Sequence, residues 1–137
     1  MTTLSQQAGQ LATAHGGRPI EVSDNLWAFP DGATLRNCGS GPFLSLPPAD
    51  PARRWAAVRG YHQALLDRAT TDHRRLDAAL RGQANPFRWD AVMIDRYGPP
   101  RATAAASLAA VGEVVERGRA ALARLDAERP VPAPVFA

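Results

Sequence analysis

The sequence has no lysine, one cysteine and no long apolar run, and each absence removes a class of explanation. All sixteen basic residues are arginine, set against thirteen acids for a formal net charge of +3. Because guanidinium titrates above pH 12, this small excess lifts the sequence pI to about 10.0 without a strong field at neutral pH. The pI is therefore a weak argument for nucleic acid, and compositional bias accounts for arginine-only usage better than selection for bidentate phosphate contacts does. Cys38, the lone cysteine, cannot close a disulfide within the chain, and no charged-then-apolar leader opens "MTTLSQQAGQLATAHGG". No stretch approaches the ~20 apolar residues that span a bilayer. A soluble, cytoplasmic protein without a membrane partner is expected.

The usual chemical constellations are missing as well. His15, His62, His73 and Cys38 show no His-x-x-x-His or Cys-x-x-Cys spacing. His62 and His73 are separated by about 16 Å of helical rise, too far to share an ion. In "RNCGSGP" only Arg36 stands near enough in sequence to lower the Cys38 pKa. Ser40 lacks the neighbours of a nucleophile elbow, and the glycine-rich loop has no phosphate-binding lysine. Asp90 and Asp95 read as solvated loop charges. The expectation is a non-enzyme without catalytic, cofactor or metal residues.

What is present reads as architecture. At 137 residues, 45% hydrophobic and 21% charged, the chain suits one globular domain able to bury a core. Residues 1–18 predict a short helix or flexible segment, weakened by Gly9 and broken by Gly16, Gly17 and Pro19. Residues 19–47 alternate short apolar runs with turn residues: "IEVS", "LWAF", "ATLR", "FLSL". Pro30-Asp31-Gly32 suits a tight reversal, so two or three antiparallel strands are expected. A meander this small needs an apolar support.

Residues 50–129 supply it. Asp50-Pro51 is a helix start and Gly82 a stop. Between them Trp55, Val58, His62, Leu65, Ala69, Asp72, Leu76 and Ala79 recur every three or four residues, as do Ala104, Leu108, Val111, Val115, Gly118, Leu122 and Leu125 before Pro130. Two helices of roughly 40 Å should pack along these seams, the small residues of the second allowing close approach. Their connection, residues 83–100, fits either a short helix capped by Asn85 or an added strand. Residues 130–137, "PVPAPVFA", predict an extended proline-rich tail. The fold class is α+β, mainly α: a small antiparallel hairpin or meander packed on a helical hairpin.

Two surfaces are candidates for partners. Arg53, Arg54, Arg68, Arg74, Arg75 and Arg81 line one side of the first long helix, a stripe fitting an acidic protein or a nucleic-acid backbone. Asp72 and Asp77 are spaced to pair with it locally, the simpler reading being an ordinary solvated face. Trp27 and Phe29 on the hairpin, and Val135 and Phe136 on the tail, are candidates for protein docking. The hairpin otherwise serves as a cap over Trp55 and Tyr61. His62 and Asp72 stand where the seam favours aliphatic residues, either to fix register or to build a site between the helices. Together these features predict a small non-catalytic interaction or assembly protein, an accessory subunit or oligomer, with nucleic-acid backbone binding as the alternative.

Overall fold

The computed structural model describes residues 3–83 and 88–131; Asn85, Val135 and Phe136 lie outside them. In chain order the elements are α1 (Leu4–Leu11), a 3₁₀ turn (Thr13–His15), β1 (Ile20–Ser23), β2 (Leu26–Ala28), β3 (Thr34–Asn37), β4 (Pro42–Ser45), α2 (Pro51–Leu80), α3 (Ala91–Tyr97) and α4 (Ala104–Ala127). The class is α+β, mainly α, with a four-stranded antiparallel sheet packed against helices. No helix among the described residues is long and apolar enough to cross a membrane. The chain forms two compact units, Met1–Ala64 with Ala121–Ala137, and Leu65–Ala120.

The first unit holds the sheet, in the order β1-β2-β3-β4. Four strands form where two or three were expected, because the "FLSL" run pairs with β3 in the register Leu35↔Leu44 and Arg36↔Phe43. Trp27, Leu35 and Leu44 lie opposite one another across the strands and so share a face. That face meets α1: Ala8, Phe29, Ala33 and Leu35 are fully buried together, with Leu4, Leu11, Trp27 and Leu44 packed around them. The amino-terminal helix is thus part of the core. It survives Gly9 because Thr3 and Gln6 form a reciprocal capping box, the Thr3 hydroxyl accepting from the Gln6 amide at 3.1 Å and the Gln6 side chain from the Thr3 amide at 2.9 Å.

The turn at Pro30-Asp31-Gly32 forms as its chemistry dictates. The Phe29 carbonyl accepts from the Gly32 amide at 3.0 Å, Asp31 Oδ1 accepts from the Ala33 amide at 2.9 Å, and Gly32 takes φ +96°. The turn abuts α2, where a Cβ on Gly32 would lie 3.2 Å from Ala57 Cβ. The Tyr61 hydroxyl donates to the Arg18 carbonyl at 2.6 Å. The hairpin does lie against α2, and Trp27 and Phe29 join the buried cluster around Ala8 of α1.

Helix α2 starts with the Asp50 carboxylate accepting from the Arg53 amide at 2.9 Å. It stops at Gly82, whose φ of +70° lets the Gln83 amide reach the Ala78 carbonyl at 2.9 Å. Both seams are observed: Ala69, Leu76, Val111, Val115 and Leu122 are buried. In the first unit Trp55 Nε1 donates to the Leu125 carbonyl at 2.6 Å and Arg59 pairs with Asp126 at 2.7 Å. In the second, Gly118 sits against Leu66 and Gly112 against the His73 ring, the close approach that the small residues predict.

Candidate functional site

The described residues of the 83–100 connection contain a helix, α3, and no strand. Its cap is Asp90, which accepts from the Met93 amide at 3.1 Å. Asp90 is thus a structural cap rather than a free loop charge. Within α3, Met93, Arg96 and Tyr97 fall at i, i+3 and i+4 and so share one face. Met93 on that face is 3% exposed. Val92 and Ile94, about 100° to either side, are each about half exposed.

This face meets Asp72 of α2. Arg96 Nη1 donates to Oδ1 at 3.2 Å and to Oδ2 at 2.9 Å, and the Tyr97 hydroxyl donates to Oδ2 at 2.6 Å. Asp72 is only 4% exposed, so its charge depends on these donors in place of water. Burial, then the Asp72 carboxylate, hold the Tyr97 phenol well above its ordinary pKa, which keeps it a donor at any physiological pH. Around the cluster, Trp89 stacks at a tilt on Tyr97 and donates to the Gly98 carbonyl at 2.9 Å, and buried Ser107 accepts from the Arg101 amide at 2.8 Å. Asp72 therefore departs from the seam to anchor a third helix. The reading of Asp72 as part of an ordinary solvated helix face is corrected: it is buried, with Arg96 and Tyr97 of α3 as its donors.

The arginines of α2 are not equivalent. In the first unit Arg53 and Arg54 are exposed, and Arg54 Nε donates to the Pro48 carbonyl at 2.9 Å. In the second, Arg74 and Arg75 are exposed, Arg68 is half-buried, and Arg81 pairs with Asp77 at 3.2 Å. Of the hydrophobic candidates, Phe29 is 0% exposed and its ring lies 5.2 Å from that of His15, while Trp27 is half-buried on the same cluster. Phe29 is a core residue and unavailable for docking, because it is buried together with Ala8 of α1, Ala33 and Leu35. Val135 and Phe136 lie outside the described residues.

The exposed apolar side chains of the sheet lie elsewhere. Phe43 on β4 is 57% exposed, and Leu46 just beyond that strand is 70% exposed. Register places Leu26, Arg36 and Phe43 in one row on the face opposite Trp27, Leu35 and Leu44. Strand β4 ends the sheet, so its outer backbone edge lacks a neighbouring strand in the sheet order. The "FLSL" run signals a strand, but periodicity alone does not say which of its residues stays in water.

Residues that could act as nucleophile or base are dispersed among local structural roles. Cys38 is exposed in the β3–β4 loop. His15 is buried and bonds Asp31 Oδ2 through Nδ1 at 2.8 Å, tying the hairpin turn to the segment after α1. His62 lies 5.3 Å from Tyr61, ring to ring, and burial followed by the nearby Arg124 lowers its pKa. Among the described residues no group of three or more His, Cys, Asp or Glu is placed to hold a metal ion. No protein-family model, curated protein or solved structure matches the chain.

Proposed function

We propose that the protein is a small non-catalytic interaction protein, an accessory subunit that docks on a partner or on a second copy of itself through the β4 edge of its sheet. The observation that carries this reading is the pair Phe43 and Leu46, more than half exposed on and just after an unpaired edge strand. Large apolar groups beside free backbone donors and acceptors suit strand addition, where the main chain supplies affinity and alternate side chains supply specificity. The exposed lone thiol of Cys38 suits a reducing cytoplasm. Sedimentation and affinity capture of the wild type beside a Phe43→Ser/Leu46→Ser variant test the reading. Loss of the complex or oligomer with an unchanged far-UV spectrum is the expected result; an identical complex in the double variant would overturn it.

A second reading, binding to a nucleic-acid backbone, is favoured by one observation: Arg74 and Arg75 are adjacent and exposed on α2. Backbone binding would show a salt slope that shrinks in Arg74→Gln/Arg75→Gln. The same capture repeated with nuclease separates the two readings, since a protein complex survives the nuclease.

A further inference from the structure

We propose that α3 is a strap that opens and closes on the second unit independently of the helices beneath it, with the Asp72 carboxylate as its latch. A seven-residue helix has no stability of its own in water, so α3 exists only while docked. Its docking face is small: one buried aliphatic side chain, Met93, beside two polar ones, Arg96 and Tyr97. Both polar groups converge on Asp72, within 2.9 Å and 2.6 Å of the same oxygen.

Several other polar contacts of the segment close within it rather than onto the helices beneath. Trp89 donates to Gly98, Asp90 caps α3, and Arg101 Nη1 donates to the Pro99 carbonyl at 2.6 Å and to the Tyr97 carbonyl at 3.3 Å. The bond from the Arg101 amide to Ser107 Oγ marks where the strap rejoins α4. Opening therefore separates Arg96 and Tyr97 from Asp72, wets Met93 and lets the undocked α3 unwind, while the α2–α4 seam stays made. Arg96 from α3 pairs with the carboxylate, and the charges of Arg96 and, from α2, Arg68 act on Tyr97 in the same cluster. Because buried charge is costly when unmatched, the latch holds as a unit: removing either donor weakens the grip of the other. The device does not depend on the docking reading and is tested without any partner.

Hydrogen exchange of the full chain at low denaturant, resolved by residue, provides the test. In the wild type the amides of residues 94–98 should exchange through an opening that leaves those of 69–76 and 111–115 protected. Tyr97→Phe should speed exchange of 94–98 by about tenfold, the scale of one hydrogen bond to a charged group, with the helical seam unchanged. Asp72→Asn should exceed that effect, and Asp77→Asn, which removes the half-exposed partner of Arg81, should do nothing to the strap. If residues 94–98 exchange in the wild type only together with the seam, or if Tyr97→Phe accelerates both equally, the strap is not a separate body. The wild-type and Tyr97→Phe results decide even where Asp72→Asn fails to fold.

Discussion

The two compact units solve the same problem with opposite chemistry. In the first, α1 is bound to the sheet by apolar burial, with Phe29, Ala8, Ala33 and Leu35 excluded from water together. In the second, α3 is bound to α2 largely by a buried carboxylate and its two donors. Apolar burial is non-directional and tolerates adjustment, whereas a buried charge must be matched at fixed distances or it opposes folding. An element of eight residues can therefore belong permanently to a core, while one of seven beside a charge can come and go.

The largest effect expected, and the most direct way to break the contrast, is Phe29→Ala. It leaves a cavity at the centre of the first cluster and should cost about 3–5 kcal/mol, read from the urea midpoint with the protection of α1 amides lost in parallel. If α1 remained protected, the sheet core would not be what holds it. Next comes Asp72→Ala, which strands Arg96 and Tyr97. Because Arg96 keeps some contact with water, about 2–3 kcal/mol is expected, below the full cost of breaking a buried pair. A double-mutant cycle with Arg96→Met should return much of that loss as coupling; additive losses would mean that Asp72 acts without its partner.

The same contrast governs what the sequence reveals. Apolar periodicity carries both long helices, and Asp50-Pro51 and Gly82 mark the ends of the first, because period and capping are local properties. The four-stranded sheet was legible as runs and turns, but not its count, since "FLSL" as a strand depends on a neighbour to pair with. The capping box of Thr3 and Gln6 was there to be read and outweighs Gly9. Phe29 was misplaced because alternation gives the face shared with Trp27 and not what covers that face. Helix α3 was least legible: "VMI" looks like strand, and the information that makes it helical, Met93, Arg96 and Tyr97 at i, i+3 and i+4, has meaning only once Asp72 is known to be buried. The off-pattern Asp72 was the one clue to that cluster.

Glycines on the two long helices sharpen the comparison at smaller cost. Gly60 of α2 lies in the first unit, and nothing would stand within 4 Å of a Cβ there; Gly118 of α4 lies in the second, where a Cβ would be 3.2 Å from Leu66. Gly60→Ala should therefore stabilise by about 0.5–1 kcal/mol through helix propensity and a less disordered unfolded chain. Gly118→Ala should gain the same propensity and lose most of it to crowding, leaving a midpoint close to that of the wild type. Equal gains at both sites would show that Leu66 yields freely and that the seam of the second unit is loosely packed.

The smallest effect concerns the two polar residues that interrupt the α2 seam, one in each unit. Asp72 is charged and matched; His62 is half-buried with burial, then Arg124, disfavouring its charged form. Its folded pKa lies below the ordinary value of 6.5, so in acid the unfolded chain binds the proton more readily than the folded one. The contribution to stability is accordingly intact above about pH 6.5 and declines as pH falls toward and through the folded pKa. Unfolding midpoints measured from pH 7.5 to pH 5 should fall in the wild type and fall less steeply in His62→Gln, whose uncharged side chain does not titrate. An unchanged slope in that variant would assign the acid sensitivity elsewhere and place His62 in water in both states. A shallower slope would mark the seam's two exceptions as opposites: in the first unit a group kept neutral by burial, in the second a charge that burial permits only because α3 brings its partners.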